Sequence, residues 1–140
     1  MSGHIYHLTF VTLQREPIFS DPDAANAAAR CLHAGGSPGE WDLLAWVLMP
    51  DHAHLLCQLG RHGELAVLVR RLKSHAARDA NAAIGREGPV WQRGFHDRAL
   101  RSEDDVTQVG RYIVANPVRA GLVERVELYP WWNAVWLQAR

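Results

Sequence analysis

Cysteine is scarce: Cys31 and Cys57 are the only two in 140 residues, and both sit inside apolar segments. That excludes a disulfide framework and leaves two small core hydrophobes in a reducing compartment. No apolar run reaches the length of a membrane helix, and the opening Met1-Ser2-Gly3-His4 carries no secretion signal, so the expected location is the cytoplasm, away from membranes. Neither sign of charge prevails. Fifteen basic residues balance fifteen acidic ones, which argues against a generally basic nucleic-acid coat but leaves room for a local basic surface. Lysine is nearly missing, Lys73 being the only one; the arginines that replace it suit bidentate phosphate contact. Linkers, repeats and low-complexity tracts are absent too. An apolar fraction of 48% over this length predicts one folded domain, residues 1–140, with a single core.

Within that domain the hydrophobic period changes along the chain. Residues 4–13 are rich in β-branched and aromatic types and predict a strand. Asp21-Pro22 reads as an N-cap with proline in the first turn of an alanine-rich helix that runs to His33 and stops at Gly35-Gly36. Strands are predicted over 41–49 and 52–59, broken by Pro50-Asp51. A helix follows over 64–84, with Leu65, Leu68, Val69, Leu72 and Ala76 on one stripe and Arg70, Arg71, Ser74 and Arg78 away from it. Residues 90–100 predict a fourth strand interrupted by Gly94. Ser102 and Asp105, spaced as a capping box, open a last helix to about Asn116 with Val106, Val109 and Ile113 buried. The segment 128–140, with Tyr129, Trp131, Trp132 and Trp136, reads as a docked or partly flexible tail held by its aromatics. The order βαββαβ plus a C-terminal helix predicts an α+β, ferredoxin-like fold: an antiparallel sheet with helices on one face and an additional C-terminal helix.

Four side chains draw attention as chemistry. His52 and His54 are two apart on a strand, so both imidazoles leave the same face, a geometry that makes a metal-binding pincer. Tyr112 and Asn116 are four apart on the last helix and hence neighbours, able to deliver a phenol and an amide to the same place. Each has a plainer reading. A histidine pair is common on strands, Tyr112 borders the buried Val109/Ile113 stripe, and Asn116-Pro117 is also the pattern of a turn cap.

The segments 48–56 (LMPDHAHLL), 90–101 (VWQRGFHDRALR) and 111–123 (RYIVANPVRAGLV) together resemble the three marker segments of the REP-associated tyrosine transposases. These are bacterial relatives of the single-tyrosine HUH transposases of small insertion sequences. The resemblance runs from the first strand to Tyr129-Pro130. It implies a single-stranded-DNA transesterase acting on hairpin-forming repetitive palindromes. In that reading Tyr112 is the nucleophile forming a 5′-phosphotyrosine, the chain's last helix is the catalytic one, and His52 and His54 hold a divalent cation, Mg²⁺ or Mn²⁺. Asn116 matches the position of an amide third ligand, with His96 or water as alternatives. Asp51 stands where the pattern more often has Asn, and Ala53 replaces a bulkier apolar residue; neither removes a ligand, and Asp51 can serve a histidine or a metal-bound water from the outer shell.

Two basic groups are candidates for the DNA track, with single-stranded or hairpin DNA as the expected partner of a monomer or homodimer. Arg93, His96, Arg98 and Arg101 crowd the fourth strand, with Trp91 and Phe95 available for base stacking. Arg70 and Arg71 lie on the outer face of the second helix, where a merely solvated face is the plainer account. Rival functions are a DNA-binding regulator with a silent site and a zinc-type hydrolytic nuclease, which would need a third His, Asp or Glu ligand.

Overall fold

A computed structural model describes residues 3–135. The strands are β1 (Ile5–Val11), β2 (Trp41–Met49), β3 (His52–Leu59), β4 (His96–Leu100) and β5 (Trp132–Ala134); the helices are α1 (Pro22–Ala34), α2 (Leu65–Ile84) and α3 (Glu103–Arg119). The sheet order is β4-β1-β3-β2-β5, every neighbour antiparallel. This is the α+β arrangement expected from the order of elements, with one strand added at the β2 edge.

Strand periodicity sorts the sheet into two faces. Leu8 and Phe10 of β1 and Ala53, Leu55, Cys57 and Leu59 of β3 join α1 and α2 in the larger core. The other face is covered by α3 and the segment that follows it: Val109, Ile113 and Tyr129 pack on Ala45, Val47, Met49 and Leu56. The histidine-bearing face of β3 is therefore the α3 face, because His52 and His54 share the parity of Leu56.

Local signals act as their chemistry dictates. The Asp21 carboxylate accepts from the backbone amides of Asp23 and Ala24 at the start of α1, and Ser102 accepts from the Asp105 amide at the start of α3. Three expectations shift. The first strand ends at Val11, where the Thr12 hydroxyl turns inward to Glu16 and Asp51 carbonyls and Gln14 and Arg15 take left-handed backbone angles. The fourth strand is only five residues long, since Gly94 at φ 75° breaks the chain's extension and Trp91 makes just an isolated bridge to Thr12. The third helix continues past Asn116 through Pro117 to Arg119.

The expected aromatic tail is partly strand. Tyr129 donates its hydroxyl to the Leu48 carbonyl, Trp131 its indole to Asn26, and Trp132 its indole to the Val126 carbonyl, so each ring packs while its polar end is satisfied. β5 then pairs Ala45, Trp46 and Val47. Trp136 lies outside the described residues. Of the cysteines, Cys57 is fully buried as expected, whereas Cys31 is half-buried and donates to Asp79.

The end of α3 sets how far the helix carries its polar row. Gly121 N–H donates to the Val118 carbonyl and Leu122 N–H to that of Pro117, the paired bonds of a Schellman motif, with Gly121 at φ 74°. A Cβ there meets no atom, so the cost of Gly121→Ala is the backbone strain, about 1 kcal/mol. Urea unfolding of the variant is expected to show that loss with an unchanged denaturant slope.

Candidate active site

Tyr112 follows the buried Val109 and precedes Ile113, so it leaves α3 at the edge of its packed stripe and projects over the part of the sheet the helix does not cover. It is 49% exposed. Its ring centre lies 5.9 Å from that of His54 and 6.4 Å from that of His7. The His52 and His54 rings are 4.9 Å apart. The strand and helix thus bring the expected pair and the expected phenol together, ring beside ring.

The imidazoles are held from behind. His52 Nδ1–H donates to Asp51 at 2.7 Å, and Asp51 is in turn paired with Arg15 at 3.3 Å. His54 Nδ1 lies 3.0 Å from His7 Nε2 and 3.1 Å from the Thr9 hydroxyl. A proton on Nδ1 of each ring, engaged in these bonds, leaves both Nε2 lone pairs unspent.

The electrostatics disfavour a proton on His54 and on His7. Burial, then the positive charges of His52, His7, Arg119 and Arg15, push His54 down to about 3. Burial and then Arg98 lower His7 as well. Asp51 sits below the ordinary carboxyl value: burial alone would raise it, but the hydrogen bond and charge of His52, with Arg15, reverse the sign.

Asn116, one turn beyond Tyr112 on the same helical face, is only 9% exposed, and its Nδ2 is a buried atom with no hydrogen-bond partner. A buried N–H donor without a partner is costly, and an acceptor oxygen, such as a phosphate's, would relieve it; a cation would be met by the other end of the amide, Oδ1. The turn-cap reading of Asn116 fails, because the residue lies within α3 and its carbonyl accepts from Ala120. Among the described residues no three His, Cys, Asp or Glu side chains form a metal-holding group. His96 faces the right side but lies opposite Thr9 on β4, two strands from His54, roughly 10 Å at ordinary strand spacing. The residues that could hold a divalent cation are His52 and His54 through Nε2, with Asn116 through Oδ1.

The basic residues divide. Arg98 lies opposite His7 and His96 opposite Thr9, so both share the histidine face. Arg93 instead lines a groove with Arg70 and Lys73 on the α2 side, and Arg71 is paired with Glu40 at 2.6 Å. Arg101 is exposed at the start of α3. Trp91 and Phe95, expected to be free for stacking, pack on Phe10, and Trp91 also packs on Phe19 and donates its indole N–H to the Lys73 carbonyl. Lys73 is spent on the Gln92 and Gly94 carbonyls. The sequence reading missed His7, Thr9, Arg15 and Arg119. His7 and Thr9 had a signal in the alternation of β1; Arg15 and Arg119 had none beyond their charge.

The family model described as "Transposase IS200 like" matches residues 1–116. The chain belongs to the IS200-like transposase family. It is similar to an Escherichia coli REP-associated tyrosine transposase, 29% identical over 91 residues, 64% of this chain and 52% of that protein. A Haemophilus influenzae protein assigned to the same group is 32% identical over 101 residues, 65% of this chain and 57% of that protein. The chain therefore spans about half the length of the curated relatives it matches. Among solved structures, a REP-associated tyrosine transposase bound to a REP hairpin superposes with a TM-score of 0.71 at 23% identity, covering 94% of this chain and 77% of that one. A Deinococcus radiodurans protein assigned as a transposase gives 0.56 at 23% identity, covering 81% and 90%. These two likenesses establish the shared fold. The resemblance expected from the three sequence segments of this transposase is borne out. No helix of the described residues is long and apolar enough to cross a membrane.

The depressed His54 has a consequence for stability. Its folded-state value of about 3 lies below the ordinary 6.5, so between these the unfolded chain binds a proton that the folded chain refuses. Stability must fall as pH drops through that window, by at most about 1.4 kcal/mol per pH unit for one proton. Urea unfolding from neutral into mildly acidic pH is expected to show this slope, and His54→Asn to flatten it.

Proposed function

We propose that this transposase acts as a metal-dependent single-stranded-DNA endonuclease and transesterase on hairpin-forming palindromic DNA, with Tyr112 as nucleophile. The observation that carries the reading is the position of the Tyr112 ring against His54. A bound Mg²⁺ or Mn²⁺ would supply Lewis-acid polarisation of the phosphate and neutralise charge there. His52, His54 and Asn116 would hold it, while Asp51, His7 and Thr9 keep the two rings turned with Nε2 outward. Tyr112 attacks the phosphorus as the P–O3′ bond breaks. Its phenolic proton is released, the leaving 3′-oxygen is protonated, and a 5′-phosphotyrosine remains. That ester keeps the energy of the broken bond, so a second 3′-hydroxyl can resolve it by strand transfer. The hairpin carried by the solved relative supports the substrate class. A water-using nuclease has no use for the phenol, and a third carboxylate or histidine ligand is not in place among the described residues.

Tyr112→Phe removes one oxygen and leaves the ring. Incubation with single-stranded hairpin DNA and Mn²⁺, read on a denaturing gel, is expected to give a covalent adduct with the native chain and none with the variant, while DNA binding persists. His52→Ala should lose metal binding and cleavage together. Cleavage by Tyr112→Phe at the native rate would mean that water attacks and would overturn the proposal. Binding without any adduct from the native chain would favour a regulator with a silent site.

The sheet faces also rank the arginines. Arg98→Ala with His96→Ala is expected to weaken binding of a single strand, about three- to tenfold at moderate salt, and to reduce its salt dependence. Arg71→Ala, already committed to Glu40, should change it little. Equal losses in filter-binding assays would move the DNA track to α2.

A further inference from the structure

Tyr112, Asn116 and Arg119 follow one another at intervals of four and three within α3, so they stand in a row along one side of the helix. The third member lies past residue 116, where the match to the family model ends. Its guanidinium carbon sits 3.8 Å from the centre of the Tyr112 ring, and its Nη1 donates to the Tyr112 carbonyl at 3.0 Å. The contact over the ring face restricts its swing, while the backbone bond uses only one nitrogen of the fork. Arg15, Arg71 and Arg86 all have carboxylate partners; among the described residues Arg119 has none. A permanently charged planar fork, without a counter-ion and beside a nucleophile, is suited to an oxyanion.

We propose that Arg119 is a second catalytic residue, which steadies the Tyr112 ring and donates to the non-bridging oxygens of the phosphate that Tyr112 attacks. The inference rests on the reading of Tyr112 as nucleophile. As the Oη–P bond forms and the P–O3′ bond breaks, the electron pair leaves with the 3′-oxygen and negative charge gathers on the phosphoryl oxygens. A guanidinium already in place stabilises that charge without reorganising. It then remains beside the phosphotyrosine and holds it in line for the incoming 3′-hydroxyl.

The test begins by mapping the linkage that the native chain cleaves in a hairpin oligonucleotide with a single-stranded flank and Mn²⁺. Binding is then measured in EDTA for the native chain and Arg119→Gln, with the natural strand and with a strand carrying an uncharged methylphosphonate at that linkage. Arg119→Gln is expected to weaken the natural strand about tenfold and the methylphosphonate strand not at all, and to slow adduct formation in Mn²⁺ about a hundredfold. Arg119→Lys should recover binding but not the rate, since an ammonium keeps the charge without the fork. Thermal melting checks that each variant is folded, and the two strands are compared within one variant, so a small loss of stability cancels. Equal loss on both strands, or no loss on either, overturns the phosphate contact; full recovery of rate by Arg119→Lys overturns the role of the fork. A native chain that cleaves nothing and forms no adduct overturns the Tyr112 reading, and this inference with it.

Discussion

Everything at the site depends on the packing of Val109 and Ile113 against Val47, Met49 and Leu56. That contact is small, apolar and without direction of its own, yet it fixes the rotation of α3 about its axis. Neighbouring positions on a helix differ by roughly 100°, so turning α3 by one residue would bury Tyr112 and expose Ile113. The buried stripe therefore aims the polar row. The same contact is made on a face of the sheet that no other helix covers, which leaves the β1 and β4 side of His54 open to a ligand.

The site itself is built from interactions that cost stability. His54 is taken out of water beside two other imidazoles and two guanidinium groups, and the Asn116 amide is buried with one end unpaired. Neither feature improves the fold. They persist because the sheet and α3 over-determine the positions; an electron-pair acceptor between the strand and the helix would relieve His54, and an oxygen acceptor the Asn116 N–H. Gln14 and Arg15, in left-handed backbone conformation after β1, are another local expense at the same place, and they deliver Arg15 to Asp51. Local rules are broken where the chemistry is proposed.

Much of this was legible in the residues. The two-residue period of β3 sets His52 and His54 on one face, and the four-residue spacing sets Tyr112 beside Asn116; both follow from the geometry of single elements. What a single element cannot carry is which side of the sheet a later helix chooses. The stripe of α3 looks like that of α2, and only the tertiary fold separates them. The same limit explains Trp91 and Phe95. Aromatics beside arginines look like a stacking platform, but their ring faces were needed by Phe10 and Phe19. Arg93 and Arg98 are five apart, an odd offset that a strand sends to opposite faces, and grouping them by charge alone passes over that parity.

That separation bears on the shape of any polyanion that meets both basic groups. Arg98 and His96 look out from the histidine face, while Arg93 and Arg70 border the groove under α2, with the β4 edge between them. A straight rod, such as an unbent duplex, lies against one side of a sheet or the other and cannot reach both. A chain that bends round that edge can, and a stem with a flexible single-stranded flank is of that kind.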